Sequence, residues 1–207
     1  MSYKSEFKNY LDELYESLCE VSDWMYENPE LGFQEFKTSK YLVDYIEKKS
    51  QSVNYPSHGL ETAFDITYGE EGPLVVICVE YDALPEIGHA CGHNIIATAS
   101  IGAGIGLKDI ASKLGIRVKL LGTPAEEGGG GKIILIDEGA FEDASCSMMI
   151  HPGYEDVVNP TFTTIQQYTV EYFGKDAHAA GAPDQGINAL DGQIQLFVNA
   201  STYRQQM

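Results

Sequence analysis

The chain is short of cations: 13 Lys and Arg stand against 31 Asp and Glu, a formal net charge of −18 over 207 residues. That shortage argues against nucleic acid, because phosphate binding needs clustered Lys and Arg, and against anionic membrane surfaces. An acidic, solvated surface accounts for the charge. Steering of cationic solutes into a negative cleft is a secondary consequence, weakened by salt. No apolar run approaches the ~20 residues that cross a bilayer. Residues 1–10 lack the basic flank and apolar stretch of a secretory signal. There is no low-complexity tract and no repeat. The expectation is a soluble cytoplasmic protein. A run of four glycines, Gly128-Gly129-Gly130-Gly131, lacks the Gly-Lys-Ser/Thr ending of a phosphate cradle.

Cysteine is also scarce, with four in the chain. In a reducing compartment these stay free thiols. Cys19, Cys78 and Cys146 sit among apolar neighbours and read as buried and inert. Cys91 stands between two histidines and two glycines, which favours a thiolate.

Hydrophobic residues make up 43% of the chain, enough for a substantial core. Phe7, Leu11, Leu14, Leu18, Val21 and Met25 recur at helical spacing and predict a helix over 6–27 that stops before Asn28-Pro29. A second helix is expected over 35–49. Strands are expected over 62–68, 74–79, 117–121 and 145–150, and helices over 95–114 and 133–138. This alternation predicts an α/β fold with a mixed, largely parallel sheet. After Tyr154 the pattern changes: a strand over 163–173, a turn at 183–186 and a helix over 187–203 read as the start of a smaller α+β domain. The expected division is 1–160 and 161–207.

Three segments follow predicted strands: Asp82 and then Gly88-His89-Ala90-Cys91-Gly92-His93-Asn94, next Thr123-Pro124-Ala125-Glu126-Glu127, and then His151-Pro152-Gly153. In open α/β sheets the ligand site lies beyond the carboxyl ends of the strands. A thiolate, imidazoles and carboxylates suit zinc or a metal of similar softness better than magnesium or calcium. The donors exceed what one catalytic ion uses while keeping a position open, so two ions sharing ligands are expected, with a neighbouring carboxylate as base. His58 reads as a loop residue and His89 as structural support.

The stretch Glu80-Tyr81-Asp82-Ala83-Leu84-Pro85 leading into the Cys91 motif resembles the aminoacylase and carboxypeptidase G superfamily of dinuclear metallohydrolases. The blocks running from Leu121 through Glu126-Glu127 to Lys132, from Gly174 through His178 to Ala179, and from Gly186 through Asn188 to Asp191 carry the same resemblance. Within it the chain is similar to the amidohydrolase branch of aminobenzoyl-glutamate hydrolase, auxin-conjugate hydrolases and dipeptidases for β-alanyl-lysine and related substrates.

The resemblance implies a zinc-peptidase-like catalytic domain and the start of a lid and dimerisation domain. It implies that Cys91, His93, Glu127 and His151 bind two divalent ions, zinc or manganese with cobalt as a third option. Glu126 is then the general base, and Asp82 supports a ligand imidazole. His178 stabilises the oxyanion across a homodimer, and Asn188 holds the substrate carboxylate. The family is about twice this length and supplies a last metal-binding histidine beyond residue 207. Asn94 stands where the auxin-conjugate enzymes have Asp. The function implied is hydrolysis of an amide bond to a C-terminal amino acid in a small peptide. The alternatives are an N-acyl or aminobenzoyl amino acid hydrolase, or a catalytically incomplete metal-binding and dimerising fragment.

Overall fold

The structure, a computed structural model, describes residues 2–158, 160–161, 166 and 168–206. It divides into two compact units, Met1–Asp156 and Val157–Met207. The first unit opens with α1, Tyr3–Glu27, whose N-cap Ser2 accepts a hydrogen bond from the Ser5 N–H. Leu14, Val21 and Met25 form its buried stripe. At its end the Asn28 side chain donates to the Trp24 carbonyl, and Pro29 follows. The second helix, α2, spans Phe36–Lys49 and buries Leu42, Val43 and Ile46.

Four strands form one sheet: β1, Asp65–Tyr68; β2, Leu74–Val79; β3, Arg117–Gly122; and β4, Ala144–Met148. Their order is β1-β3-β2-β4, with β1 antiparallel to β3 and β2 parallel to both β3 and β4. The sheet is therefore mixed and mainly parallel, as the alternation of elements predicted. The register pairs Val79 with Gly122 and Ile77 with Met148. The carboxyl ends of β2, β3 and β4 thus share one edge, where the chain leaves toward Asp82, Glu126 and His151.

Helix α3, His93–Leu107, is apolar nearly all round because it is covered on both sides. A Cβ at Gly102 would lie 2.8 Å from Leu18 and one at Gly106 2.8 Å from Phe7, both on α1. A Cβ at Gly104 would lie 2.4 Å from Leu120 on β3. Small residues on opposite faces let the helix fit between α1 and the sheet.

The single helix expected over 95–114 is instead two, since a short α4, Ala111–Leu114, follows a turn. An unbroken helix of that length would run ~30 Å, past the end of the six-residue β3 beneath it. The turn brings Ile110 and Ala111 into the core instead. Gly115 then ends α4 in the left-handed conformation, and α5, Gly131–Asp137, precedes β4.

Two cysteine readings need correction. Cys78 is buried, but Cys19 and Cys146 are exposed. Cys19 lies on the solvent side of α1, off the Leu14–Val21–Met25 stripe, and β4 is an edge strand largely exposed along its length. Apolar neighbours in sequence did not make either site interior.

In the second unit, part of the expected strand over 163–173 lies outside the described residues, namely 163–165 and 167. Gln166 and residues 168–173 form no ladder; one antiparallel bridge joins Lys175 to Ile187. Helix α6, Ala189–Tyr203, follows a short 3-10 turn at Pro183–Gln185. Among the described residues, no helix is long and apolar enough to cross a membrane.

Replacing Gly104 with Ala forces Leu120 to move. Overpacking of this kind costs about 1–3 kcal/mol, more than the gain of about 1 kcal/mol in helix propensity. A lower denaturant midpoint for Gly104→Ala is expected, and an unchanged or raised midpoint would contradict the close helix–sheet approach.

Candidate metal centre

The centre is assembled from the ends of β2, β3 and β4 and the start of α3. His93 is the first residue of α3 and is 1% exposed. Its ring is fixed on one side: Nδ1 lies 2.8 Å from the Asp82 carbonyl oxygen and 3.1 Å from Asp82 Oδ1. Both partners only accept, so the proton sits on Nδ1 and the lone pair is left on Nε2. Nε2 is buried with no hydrogen-bond partner. It faces Glu80 Oε2 at 3.5 Å, and Glu126 Oε2 and Glu127 Oε1 each at 3.9 Å. Burial opposes charge on this imidazole, but the hydrogen bond and charge of Asp82, followed by Glu80, outweigh it and hold its pKa above the usual value.

Asp82 has a second duty, since its Oδ2 accepts the backbone N–H of Glu127 at 2.8 Å. Burial works against its charge, yet the hydrogen bonds from His93 and Glu127 hold its carboxyl below the usual range. One side chain thereby fixes both the imidazole from α3 and the loop after β3.

That loop turns sharply. Ala125, just before the two glutamates, has a φ of 56°, rare for a residue with a Cβ. Glu127 reaches Cys91, and this hydrogen bond, with burial and the charges of Glu127, Glu126 and Asp82, pushes the Cys91 thiol up to about 11. Without a cation, the carboxylates around Cys91 favour its protonated form. Only a cation among these groups would favour the thiolate. Desolvation, then Glu80, raises the Glu126 carboxyl above its ordinary value.

Between Cys91 and His93, Gly92 caps α3 with a φ of 77°, and a Cβ there would lie 2.9 Å from Pro152. Glycine at this position lets the segment after β4 close over the start of α3. His151 meets the His93 ring edge-on, with centroids 6.1 Å apart at 87°. Its Nδ1 lies 2.8 Å from the Pro152 carbonyl oxygen.

Two ligand groups result. Glu80, His93 and His151 offer donor atoms all within 4.8 Å of one another, and so do His93, Glu126 and Glu127. An orphaned buried imidazole nitrogen among carboxylate oxygens, with a thiol and a second imidazole alongside, is a donor set that fits divalent cations of intermediate softness.

The structure therefore brings Asp82, Cys91, His93, Glu126, Glu127 and His151 together. His178 and Asn188 belong to the second unit. His178 accepts the N–H groups of Ala180 at 3.2 Å and Gly181 at 3.0 Å on Nδ1, which leaves its proton on Nε2. Asn188 caps α6, accepting from the Leu190 N–H and donating to Asp191. His89 is buried, and that burial lowers its pKa; it belongs to neither ligand group. His58 sits in a loop, with Nε2 3.2 Å from Asp65 Oδ1.

Sequence reasoning missed Glu80 as a member of the site. It is 1% exposed, ion-paired with Lys132, and its second oxygen has no partner. The signal was available: Glu80 and Asp82 are two residues apart at the end of β2 and continue its alternation toward one side.

No family model matches the chain. It is 39% identical over 211 residues to the Xaa-Arg dipeptidase of Mus musculus, covering 95% of this chain and 49% of that protein. It is 37% identical over 218 residues to the Xaa-Arg dipeptidase of Homo sapiens, again covering 95% of this chain and 49% of that protein. A more distant relative is one of the p-aminobenzoyl-glutamate hydrolase polypeptides of Escherichia coli, 29% identical and covering 89% of this chain and 42% of that one. Among solved structures the chain resembles a dinuclear metal-binding peptidase of the M20 family from Bacillus subtilis, with a TM-score of 0.59 and 26% identity, covering 68% of this chain and 42% of that one. The fold and the donor set are those of a candidate metal-binding α/β domain. The chain is similar to members of the aminoacylase and carboxypeptidase G superfamily of dinuclear metallohydrolases, and it spans about half the length of the curated relatives it matches.

Because the pKa of Asp82 is depressed on folding, its charge contributes stability above the ordinary aspartate range, and that contribution is lost as pH falls through the depressed value. Asp82→Asn is expected to lower unfolding free energy by about 1–3 kcal/mol at pH 7, with the gap narrowing below about pH 4. Denaturant melts of both metal-free proteins across this range check it; a gap that stays constant to about pH 3 counts against the double role of Asp82.

Proposed function

We propose that this chain provides the catalytic metal-binding part of an amidohydrolase that cleaves an amide bond to a C-terminal amino acid, with a dipeptide as substrate. One observation carries the reading: the lone-pair nitrogen of His93 is buried without a partner, faces three carboxylates, and is locked in that tautomer by Asp82.

In this reading Cys91, His93, Glu127 and His151 hold two divalent ions, zinc or manganese. Bound there, the ions supply Lewis acidity toward water and the amide carbonyl. Glu126 takes the proton from the attacking water and returns it to the leaving amine. Its pKa is raised above the ordinary carboxylate value, chiefly by desolvation, the direction that helps a general base to hold a proton before passing it on. Asp82 holds His93 in register while Glu126 works. His178, with its proton on Nε2, donates to the oxyanion, and in a homodimer built through residues 161–207 it does so in the partner's site. Asn188, beside Asp191, holds the substrate carboxylate. We place the protein in the cytoplasm, where Cys91 stays reduced.

The similarity to an Xaa-Arg dipeptidase and the acidic balance of the chain both favour a cationic leaving residue. The similarity to a p-aminobenzoyl-glutamate hydrolase polypeptide supports an aminobenzoyl or N-acyl amino acid as the second reading. A panel of Xaa-Arg, Xaa-Lys and N-acyl amino acids, assayed with the complete protein loaded with zinc, manganese or cobalt, decides between them. Fastest turnover on the basic dipeptides is expected, and no turnover on any member would overturn the hydrolase reading.

The two adjacent glutamates have different tasks. Glu126→Gln is expected to retain metal and lose ~100-fold to 10,000-fold in kcat, whereas Glu127→Gln loses metal as well. Initial rates and elemental analysis of both variants separate these roles. Cys91→Ala and His151→Ala are each expected to lower metal stoichiometry; unchanged content in both would remove them from the ligand set.

A further inference from the structure

Glu35 is fully buried, at 0% exposure, and no cation pairs with it among the described residues. It occupies the N-cap position of α2, where an acidic side chain ordinarily accepts helix N–H groups, yet it makes no capping hydrogen bond. Glu30 performs that task instead: its Oε2 accepts the N–H of Thr38 at 2.8 Å and its hydroxyl at 2.9 Å. The Glu35 carboxylate is thereby released to reach across the fold. Its Oε1 accepts the N–H of Ala125 at 2.8 Å, and its Oε2 accepts the hydroxyl of Thr62 at 3.0 Å. Thr62 is held in turn by Tyr81, whose hydroxyl donates to the Thr62 carbonyl at 2.7 Å.

Ala125 is the left-handed residue that turns the chain into Glu126 and Glu127. The segment around Glu35 closes on it. A Cβ on Gly32 would lie 3.0 Å from Ala125, and the Ala83 N–H bonds the Glu30 carbonyl at 2.8 Å. Asp82 already grips the same loop at the Glu127 N–H. Two buried carboxylates thus hold alternate peptide N–H groups, one on each side of Glu126.

We infer that Glu35 is a positioning residue for Glu126: by holding the Ala125 N–H it maintains the strained turn that aims the Glu126 carboxylate, while Asp82 independently secures Glu127. The expected rate effect rests on the amidohydrolase reading, which this role deepens. The hydrogen bond to Ala125 is testable without that reading.

Glu35→Leu keeps the volume and removes both acceptors; Glu35→Gln keeps an acceptor for Ala125. In the chain itself, amide hydrogen exchange at Ala125 is expected to speed up about 10-fold or more in Glu35→Leu and to stay near the parent's in Glu35→Gln. In the metal-loaded complete protein, Glu35→Leu is expected to lose about 10- to 100-fold in kcat, with KM and metal content near the parent's. Glu35→Gln is expected to restore most of that rate. Should Glu35→Leu not fold, Glu35→Asp keeps the charge but is one methylene short of Ala125 and is read the same way. Unchanged Ala125 exchange, or a rate loss as large in Glu35→Gln as in Glu35→Leu, overturns the inference. A parent without hydrolase activity overturns the functional reading instead, and the exchange result then still decides whether Glu35 holds the turn.

Discussion

The carboxylate of Asp82 is the joint on which the site depends. It sits at the end of β2, almost wholly buried, and ties together two elements that β2 itself does not contain: the imidazole at the start of α3 and the peptide N–H after β3. Removing a carboxylate from water is costly unless its lone pairs are satisfied, and here hydrogen bonds to both oxygens satisfy them. The direction of His93 and the tether of the loop at Glu127 both follow from this one group.

Around it the electrostatics are lopsided. Glu80, Asp82, Glu126 and Glu127 converge with few compensating charges: Lys132 on Glu80, and His93 to the extent that it protonates. These charges add to desolvation in raising the Glu126 carboxyl, and to the Glu127 hydrogen bond and desolvation in raising the Cys91 thiol. Accumulating negative charge in a partly desolvated cleft is unfavourable by itself. A divalent cation would relieve it, and its affinity for the site would grow from the same repulsion. The groups that shape the loop are therefore also those that make the cleft selective for positive charge.

Much of the fold was legible in the chain. Helical spacing marked α1, and apolar runs marked β2 and β3 within a residue of their ends, because periodicity reports directly on which side of an element is covered. The break between α3 and α4 was not legible, since residues 95–114 stay apolar and Gly- and Ala-rich through it; the length of the sheet beneath decides where the helix stops. Burial of Cys19 and Cys146 was misread for a related reason. Local composition says nothing about which side of α1 faces water or whether β4 is an edge. The strand expected over 163–173 forms no ladder in its described part, as a strand exists only through a partner.

For the site, the sequence by itself determined the donor types and their grouping after three strands, because motifs such as Gly88-His89-Ala90-Cys91-Gly92-His93 carry their chemistry in residue identity and short spacing. Only the tertiary structure decided which nitrogen of His93 is free, that Glu80 faces it, that carboxylates crowd Cys91, and that Glu35, 90 residues away, meets the turn at Ala125. Tautomer, protonation and loop support depend on distances between groups far apart in the chain. Those distances are set by strand register and helix packing, and neither is written in any local stretch of residues.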